Sequence, residues 1–187
     1  MRVIAGKLKG RNLVSPKGND VRPTTDKVKE AVFDILYQYI KTGFIAFDVF
    51  AGSGAMGIEA ISRGASKVYF SDISRESIAL VKTNTDYCGV TEQAVLMNGD
   101  YMRNIERVKE KVDIFFLDPP YANGFILPAL RAIDKAGNIT DDGIVVCEHD
   151  QRDVMPESIF GFTRIKSRRY GAVGLTLYQR GEREVRE

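Results

Sequence analysis

The sequence predicts an α/β fold with a mostly parallel, seven-stranded sheet, helices on both faces, a closing antiparallel hairpin and a small N-terminal β-hairpin. Short apolar segments alternate with amphipathic ones between residues 44 and 148, which is typical of strand-helix-strand units. Several apolar segments, including residues 114–117, lack the polar alternation of half-exposed strands, so both of their faces are expected to be covered. The last two segments, residues 162–171 and 172–180, meet at a Gly-Ala turn and predict the closing hairpin.

Two elements precede the alternating region. Residues 2–5 and 11–14 are short apolar-polar segments separated by the sequence GKLKG, and they predict a β-hairpin. Residues 15–23 are rich in turn-forming side chains and predict a loop. The next segment has apolar residues at intervals of three and four, which predicts an amphipathic helix with Thr24 or Thr25 as its cap. These apolar residues are Val28, Ala31, Val32, Ile35, Leu36 and Tyr39.

Within the alternating region, the hydrophobic pattern places strands and helices in turn. The apolar strand segments are residues 44–50, 67–73, 93–98, 112–117 and 143–148. The amphipathic helix segments are residues 55–64, 75–89, 101–110 and 125–137. Because a helix separates each strand from the next, successive strands run parallel and their carboxyl ends meet at one edge of the sheet. Side chains near those ends are therefore the candidates for a binding site.

Composition and cysteine use argue against several classes of protein. Hydrophobic residues make up 44% and charged residues 28% of the chain, which is typical of a globular domain. No apolar run reaches the roughly 18–20 residues of a membrane span, and the first residues lack a signal-peptide pattern. Cys88 and Cys147 lack metal-ligand spacing and are expected to be free thiols in a reducing cytosol. The single histidine, His149, argues against a zinc site or a Ser-His-Asp triad, so we expect a cytoplasmic protein without a metal.

The net charge of +2 conceals an uneven distribution of charged residues. A basic group precedes Glu30 and is opposed only by Asp20 and Asp26. Its members are Arg2, Lys7, Lys9, Arg11, Lys17, Arg22, Lys27 and Lys29. A second basic group comprises Arg164, Lys166, Arg168 and Arg169. One basic face on a nearly neutral protein indicates a polyanion such as RNA or DNA, and a solvated surface is the equal alternative.

A glycine loop and carboxylates mark the predicted carboxyl edge of the sheet. Gly52, Gly54 and Gly57 form a G-x-G-x-x-G pattern between a strand and a helix, where glycines permit a tight turn and close approach of a ligand. Asp48 lies four residues before Gly52, where it would repel a pyrophosphate but suits a cationic group. Asp72 ends the next strand, where a carboxylate accepts hydrogen bonds from ribose hydroxyls.

A third carboxylate, Asp100, follows the third strand and is placed to bind the exocyclic amine of adenine. A ligand that combines adenine, ribose and a cationic amino acid but carries no phosphate is S-adenosylmethionine. The carboxylates and the loop therefore predict a site for this cofactor. The alternative is that Asp72 and Asp100 only cap the helices that follow them, a position where aspartate is favoured.

The residues Asp118, Pro119, Pro120 and Tyr121 stand where the fourth strand ends. The prolines lack N–H groups and restrict the backbone, so they predict a rigid, extended turn. The Asp118 carboxylate and the Pro119 carbonyl then form a pair of acceptors for the two hydrogens of an exocyclic nucleobase amine. Tyr121 offers a flat face on which a base taken out of its helix stacks. The alternative is a proline-rich turn with a helix cap and a core tyrosine.

Several segments together resemble the bacterial 16S ribosomal RNA guanine-N2 methyltransferases over nearly the whole chain. They are MRVIAGKLKGRNL with RPTTDKVKEAVFDIL, DVFAGSGAMGIEAISRGA, LDPPY, and RRYG followed by LTLYQR. The resemblance implies a Rossmann-like class I methyltransferase domain over residues 23–187, preceded by a basic β-hairpin extension over residues 1–22. It implies S-adenosyl-L-methionine as cofactor, small-subunit ribosomal RNA or an assembling ribosomal particle as partner, and no membrane partner. The implied enzyme is a monomer that methylates a guanine, of the guanine(966)-N(2) type.

The resemblance also implies roles for individual positions. The catalytic residues are Asp118, Pro119 and Tyr121. The cofactor-binding residues are Asp48, Phe50, Gly52, Ser53, Gly54, Gly57, Asp72, Ile73, Asp100 and Tyr101. The RNA-binding residues are Arg2, Lys7, Lys9, Arg11, Arg22, Thr24, Thr25 and Lys27. For Arg22, the alternative is a local ion pair with Asp26 or Glu30.

Other functions stay open at this point. An N6-adenine methyltransferase acting on RNA or DNA uses the same motif, although little chain is left for a large target-recognition domain. A non-catalytic RNA-binding protein with the cofactor fold would have no need of Asp118. An NAD oxidoreductase is disfavoured by Asp48 and by the lack of a general acid.

Overall fold

The computed structural model describes residues 1–15, 26–120 and 124–181, and within them one mixed sheet forms the centre of the fold. The strands are β1 (Ile45–Asp48), β2 (Lys67–Asp72), β3 (Ala94–Asn98), β4 (Val112–Leu117), β5 (Ile139–Asp150), β6 (Ser158–Ile159), β7 (Phe162–Tyr170) and β8 (Val173–Arg180). The helices are α1 (Asp26–Leu36), α2 (Ala55–Ser62), α3 (Arg75–Cys88), α4 (Tyr101–Arg107) and α5 (Ile126–Ala136), with a 3-10 turn at Thr91–Gln93.

The strand order across the sheet is β3-β2-β1-β4-β5-β8-β7-β6. Strands β1 to β5 pair in parallel, whereas β6, β7 and β8 pair antiparallel with their neighbours. The predicted α/β fold is confirmed, and the seven predicted strands of its main sheet are all present. Strand β6 is an addition, because two residues are too short to show a periodic pattern. Since the chain leaves β1 toward β2 on one side and continues with β4 on the other, a ligand crevice opens at the carboxyl ends of β1 and β4.

Strand β5 is longer than the sequence pattern indicates. It begins at Ile139 rather than at Gly143, and its register with β4 shifts between Val112 and Ile114. The exposed Asp141 and Asp142 interrupt the apolar pattern there, which hid the first residues of the strand. The irregularity lies at the end of the sheet opposite the crevice, so it leaves the pairing of the carboxyl ends unchanged.

An apolar cluster covers each face of the sheet. Phe116 belongs to the cluster beneath α1, α2 and α3, and the adjacent Phe115 belongs to the cluster beneath α4 and α5. Neighbouring residues of a strand point to opposite faces, so a continuous apolar strand supplies both clusters. Each fully buried phenylalanine of this kind stabilises the fold by roughly 1.5–3 kcal/mol. The described helices include none that is long and apolar enough to cross a membrane, and Cys88 and Cys147 are free and buried.

The predicted N-terminal hairpin is present, but it has less strand pairing than the sequence pattern indicates. Its two arms meet in one antiparallel bridge, between Arg2 and Asn12. Val3, Leu8 and Leu13 are buried and join the cluster beneath α1 and α2. The hairpin therefore packs against the core. The predicted domain boundary at residue 22 lies outside the described residues, and the division into an extension and a domain stays a prediction.

A buried ion pair fastens this hairpin to the helices. The side chains of Lys29 in α1 and Glu59 in α2 are fully buried, with 3.5 Å between Nζ and Oε2. The Glu59 carboxylate also accepts hydrogen bonds from the backbone N–H groups of Ile4 and Ala5, at 2.8 and 3.0 Å. Burial lowers the pKa of Lys29, and the nearby Glu59 opposes that shift. Lys29, counted with the basic face on sequence grounds, is thus part of the interior, because a partner distant in sequence neutralises it.

We predict that Glu59→Gln lowers the free energy of unfolding by about 3–5 kcal/mol, because it removes the buried counter-charge of Lys29 and also breaks the Arg63–Glu59 pair. Urea denaturation followed by circular dichroism measures this change. Asp86→Asn is the matched control, since it breaks the exposed Lys82–Asp86 pair and should leave the unfolding midpoint almost unchanged. Equal unfolding midpoints for the two variants would show that the buried pair stabilises the fold no more than the exposed pair does.

Candidate active site

The glycine loop joins β1 to α2 at the crevice. Gly52 and Gly54 have φ angles of 53° and 80°, a left-handed conformation that other residues rarely adopt. Gly57, in the first turn of α2, has no room for a side chain, since a Cβ there would lie 2.2 Å from the edge of the Phe70 ring. The first two glycines therefore make the turn, and the third allows α2 to pack against β2.

Asp48 is buried beneath this loop, at the last position of β1. Its Oδ2 atom accepts a hydrogen bond from the Gly57 N–H at 3.1 Å. Burial raises the pKa of Asp48 to about 7, the Gly57 N–H opposes this rise, and the charges of Asp118 and Asp72 add to it. These three carboxylates are thus close enough to interact. A cationic group placed among them would favour the ionised form of Asp48.

Asp72 fixes the other side of the loop. Its Oδ2 accepts from the Gly52 N–H at 2.9 Å, and its Oδ1 accepts from the Ser74 N–H at 2.8 Å. The helix cap of α3 is Ser74, so the alternative reading of Asp72 as that cap is wrong. Each carboxylate oxygen has two lone pairs. Asp72 therefore holds the glycine loop in place and keeps acceptor capacity for ribose hydroxyls.

Asp100 does cap a helix, since its Oδ1 accepts from the Arg103 N–H at the start of α4. Beside it, the rings of Tyr101, Phe50 and Phe125 are in mutual contact, with centroids 5.0 to 5.8 Å apart. Burial, and to a lesser extent Asp100, raises the pKa of Tyr101. The three rings form a wall between α4 and the start of α5. Phe125 was missed on sequence grounds, because it resembles any apolar residue at the start of a helix.

The two remaining predicted cofactor residues differ in exposure. Ile73 is 75% exposed directly after β2, which is unusual for isoleucine and leaves an apolar surface at the crevice. Ser53 is buried, and its carbonyl accepts a hydrogen bond from the Nδ2 of Asn84 at 2.9 Å. The same fully buried Asn84 exchanges hydrogen bonds with the backbone of Val14 at 2.8 and 3.0 Å. Asn84 thus links the glycine loop to the N-terminal hairpin. The sequence indicates this role only weakly, through a polar residue on the buried face of a helix.

Asp118, Pro119 and Pro120 follow the last residue of β4, as predicted. Phe116 of β4 lies opposite Asp48 of β1, so the Asp-Pro-Pro turn leaves the sheet beside the glycine loop. Asp118 is half-buried, Pro119 is buried and Pro120 is exposed. The position of this turn agrees with a binding role, and the roles of its residues stay predictions. Tyr121 lies outside the described residues.

Three of the N-terminal bases predicted to bind RNA have partners within the protein. Arg2 pairs with Asp26 at 3.0 Å, and Lys7 donates to the Oε1 of Gln93 at 2.8 Å. Arg11 lies over the ring of Tyr87 and donates to its carbonyl. Such contacts at an exposed surface are weak and exchange readily, so they leave the bases able to bind phosphate. Lys9 and Lys27 are exposed, and Arg22, Thr24 and Thr25 lie outside the described residues.

A sheet of this order, with its ligand crevice beside β1 and an Asp-Pro-Pro turn after β4, defines a class I methyltransferase. A family model described as "Conserved hypothetical protein 95" matches residues 1–179. The chain belongs to this family, and the predicted membership of a bacterial ribosomal RNA methyltransferase family is confirmed.

Individual relatives agree with this assignment. The chain is 37% identical to "Putative rRNA methyltransferase YlbH" of Bacillus subtilis, over 96% of this chain and 99% of that protein. It is 29% identical to "Ribosomal RNA small subunit methyltransferase D" of Escherichia coli, over 96% and 90% of the two chains. The solved structure "Putative methyltransferase yhhF from Escherichia coli" matches with a TM-score of 0.85 and 27% identity, over 97% and 98% of the two chains.

We predict that Gly57→Ala destabilises the protein by about 1–3 kcal/mol, because the added methyl group collides with the buried Phe70 ring. Helix propensity alone would give the opposite sign, since alanine favours a helix interior over glycine by about 1 kcal/mol. Thermal unfolding of a double-mutant cycle with Phe70→Leu checks the cause. The alanine should cost less beside the smaller leucine, and an unchanged cost would contradict the collision.

Proposed function

We propose that this protein transfers a methyl group from S-adenosyl-L-methionine to the exocyclic N2 amine of a guanine in 16S ribosomal RNA, of the guanine(966)-N(2) type. The observation that carries the proposal is the placement of Asp118 beside the glycine loop and the buried Asp48. The name of the Escherichia coli relative, a small-subunit ribosomal RNA methyltransferase, supports the substrate class.

The residues of the crevice fit this cofactor. A Cβ at Gly52 would meet nothing within 4 Å, so the outer face of the loop is open to a ligand. The carboxylate of Asp48 suits the cationic amino acid part, Asp72 suits the ribose, and Asp100 with Tyr101 suits the adenine. When bound, S-adenosylmethionine supplies a methyl group activated by its sulfonium.

Asp118 and the carbonyl of Pro119 hold the amine that receives the methyl group. An exocyclic amine on guanine is planar, because its lone pair is delocalised into the ring. Two acceptors that bind its two hydrogens favour a pyramidal nitrogen with a localised lone pair, which is the nucleophilic form. Most of the rate gain then comes from positioning and electrostatics. One amine proton leaves late, to the Asp118 carboxylate or to water, and Tyr121 stacks on the base.

The proposed partner is RNA, as bare ribosomal RNA or within an assembling particle, and the proposed setting is the cytoplasm with the enzyme as a monomer. The bases of the N-terminal hairpin and of β7 are the proposed contacts for phosphate. Such contacts position the RNA but do not distinguish one base from another, so the residues of the crevice must select the base.

We predict that cofactor binding near pH 6.5 is accompanied by proton release, because the cationic ligand favours ionised Asp48, whose pKa is about 7 in the free protein. Affinity should rise with pH and level off above about 7. The sign for stability is opposite: a carboxyl whose folded pKa is raised stabilises the fold at low pH, and this contribution is lost as pH rises through about 7. Calorimetry in buffers of different ionisation enthalpy measures the proton release.

Asp48→Asn is the control for this experiment, since it keeps the shape of the side chain and removes the titration. The variant should bind the cofactor more weakly, and its binding should release no proton from this position. Equal proton release by the variant and the wild type would assign the titration to another group.

We predict that Asp118→Asn lowers kcat/KM for methyl transfer by about 10²–10³-fold, with cofactor affinity changed little, since Asp118 binds the amine rather than the cofactor. The assay follows labelled methyl transfer into small-subunit ribosomal RNA, and mass spectrometry identifies the methylated nucleoside. Asp141→Asn, an exposed position away from the crevice, is the matched control and should retain full activity. N6-methyladenosine as the product, or wild-type activity of Asp118→Asn, would overturn the proposed function.

A further inference from the structure

We infer that Glu148, on the strand next to Asp118, selects guanine over adenine by accepting a hydrogen bond from guanine N1–H. This inference rests on the proposed function, because it concerns the base whose amine Asp118 binds. Glu148 lies outside the motifs that carry the family resemblance. The sequence pattern identifies it only as the polar residue at the end of an apolar strand.

The register of the sheet places Glu148 beside Asp118. Strands β4 and β5 are parallel, with Phe116 opposite Val146 and Leu117 opposite Cys147. Continued by one residue past the end of β4, this register places Asp118 beside Glu148. Neighbouring parallel strands lie about 4.8 Å apart, so the two carboxylates leave the sheet side by side at its carboxyl edge.

The two side chains also leave the same face of the sheet. Side chains alternate along a strand, so Asp118 follows the direction of Phe116, and Glu148 follows that of Val146. Phe116 and Val146 both belong to the apolar cluster beneath α1 and α2. The pair of carboxylates therefore faces the side of the crevice on which the glycine loop and Asp48 lie.

The surroundings of Glu148 favour a discriminating contact. Glu148 is 8% exposed, and on its other side it pairs with the fully buried Leu175 of β8. In such a buried setting a hydrogen bond to a carboxylate is strong, and a mismatched polar partner is costly. A carboxylate offers about four lone-pair positions, so a contact that Glu148 makes within the protein leaves acceptor capacity for a ligand.

The Watson–Crick edges of the two purines differ next to the reactive amine. In guanine, N2 carries the amine and the adjacent ring atom N1 carries a hydrogen. In adenine, N6 carries the amine and the adjacent N1 has a lone pair. With the amine at Asp118, a carboxylate one strand away accepts guanine N1–H, but it repels the lone pair of adenine N1. A site with an acceptor at this point thus rejects adenine by an unfavourable contact, which is an efficient means of specificity.

The test compares a ribosomal RNA fragment that contains the target guanine with the same fragment carrying 2,6-diaminopurine there. Diaminopurine keeps the 2-amino group but has a lone pair on N1. Wild-type enzyme is expected to methylate guanine with a kcat/KM at least about 10-fold higher. Glu148→Gln should reduce this ratio toward one, because an amide accepts from guanine N1–H and also donates to diaminopurine N1. Glu92→Gln, an exposed position before β3, is the matched control and should keep the wild-type ratio.

Glu148→Asp keeps the carboxylate and should retain the preference for guanine at a lower rate. The inference is overturned if wild-type enzyme uses both bases equally, if Glu148→Asp loses the preference, or if Glu148→Gln slows both substrates without changing their ratio. The last result would assign a structural role to Glu148. In each of these cases the wild type still forms N2-methylguanosine, whereas a wild type that forms only N6-methyladenosine would overturn the proposed function itself.

Discussion

The crevice depends on one buried carboxylate at the start of a helix. Asp48 accepts the Gly57 N–H, one of the N–H groups that have no partner within α2, and the helix dipole favours a negative charge at this end. Burial and the neighbouring Asp72 and Asp118 oppose that charge, which is why the pKa of Asp48 is about 7. The free protein therefore holds its carboxylates together at a cost. A cationic ligand group relieves this cost, so part of the binding free energy is stored in the fold.

The pattern of the sequence was sufficient for the fold and for the location of the crevice. Alternating strand and helix periods predict a parallel sheet, and parallel strands bring their carboxyl ends to one edge regardless of loop detail. For this reason the sequence alone predicts that Asp48, Asp72 and Asp118 lie close together. Gly52 and Gly54 were equally predictable, since a tight turn in this place requires left-handed backbone.

Other features depend on contacts between residues that are far apart in sequence. In the sequence, Lys29 resembles the other surface bases. Its burial depends on the ion pair with Glu59, which lies on another helix. The hydrogen bond from the Gly52 N–H to the Asp72 carboxylate depends on the path of the loop, which no local sequence pattern specifies. Glu148 gains its significance from strand register, and register is set by the whole pairing of β4 with β5. Sequence patterns report periodicity within an element, whereas these features arise between elements.

The fastening of the N-terminal hairpin has a consequence for synthesis of the chain. Glu59 binds backbone 55 residues before it, and Asn84 binds backbone 70 residues before it. The hairpin is synthesised before the helices that cover its apolar side chains. At about 5–20 residues per second, it stays uncovered for several seconds. A nascent chain therefore carries an exposed apolar segment until α3 is complete, and slow translation over residues 60–85 would lengthen its exposure to chaperones and to aggregation.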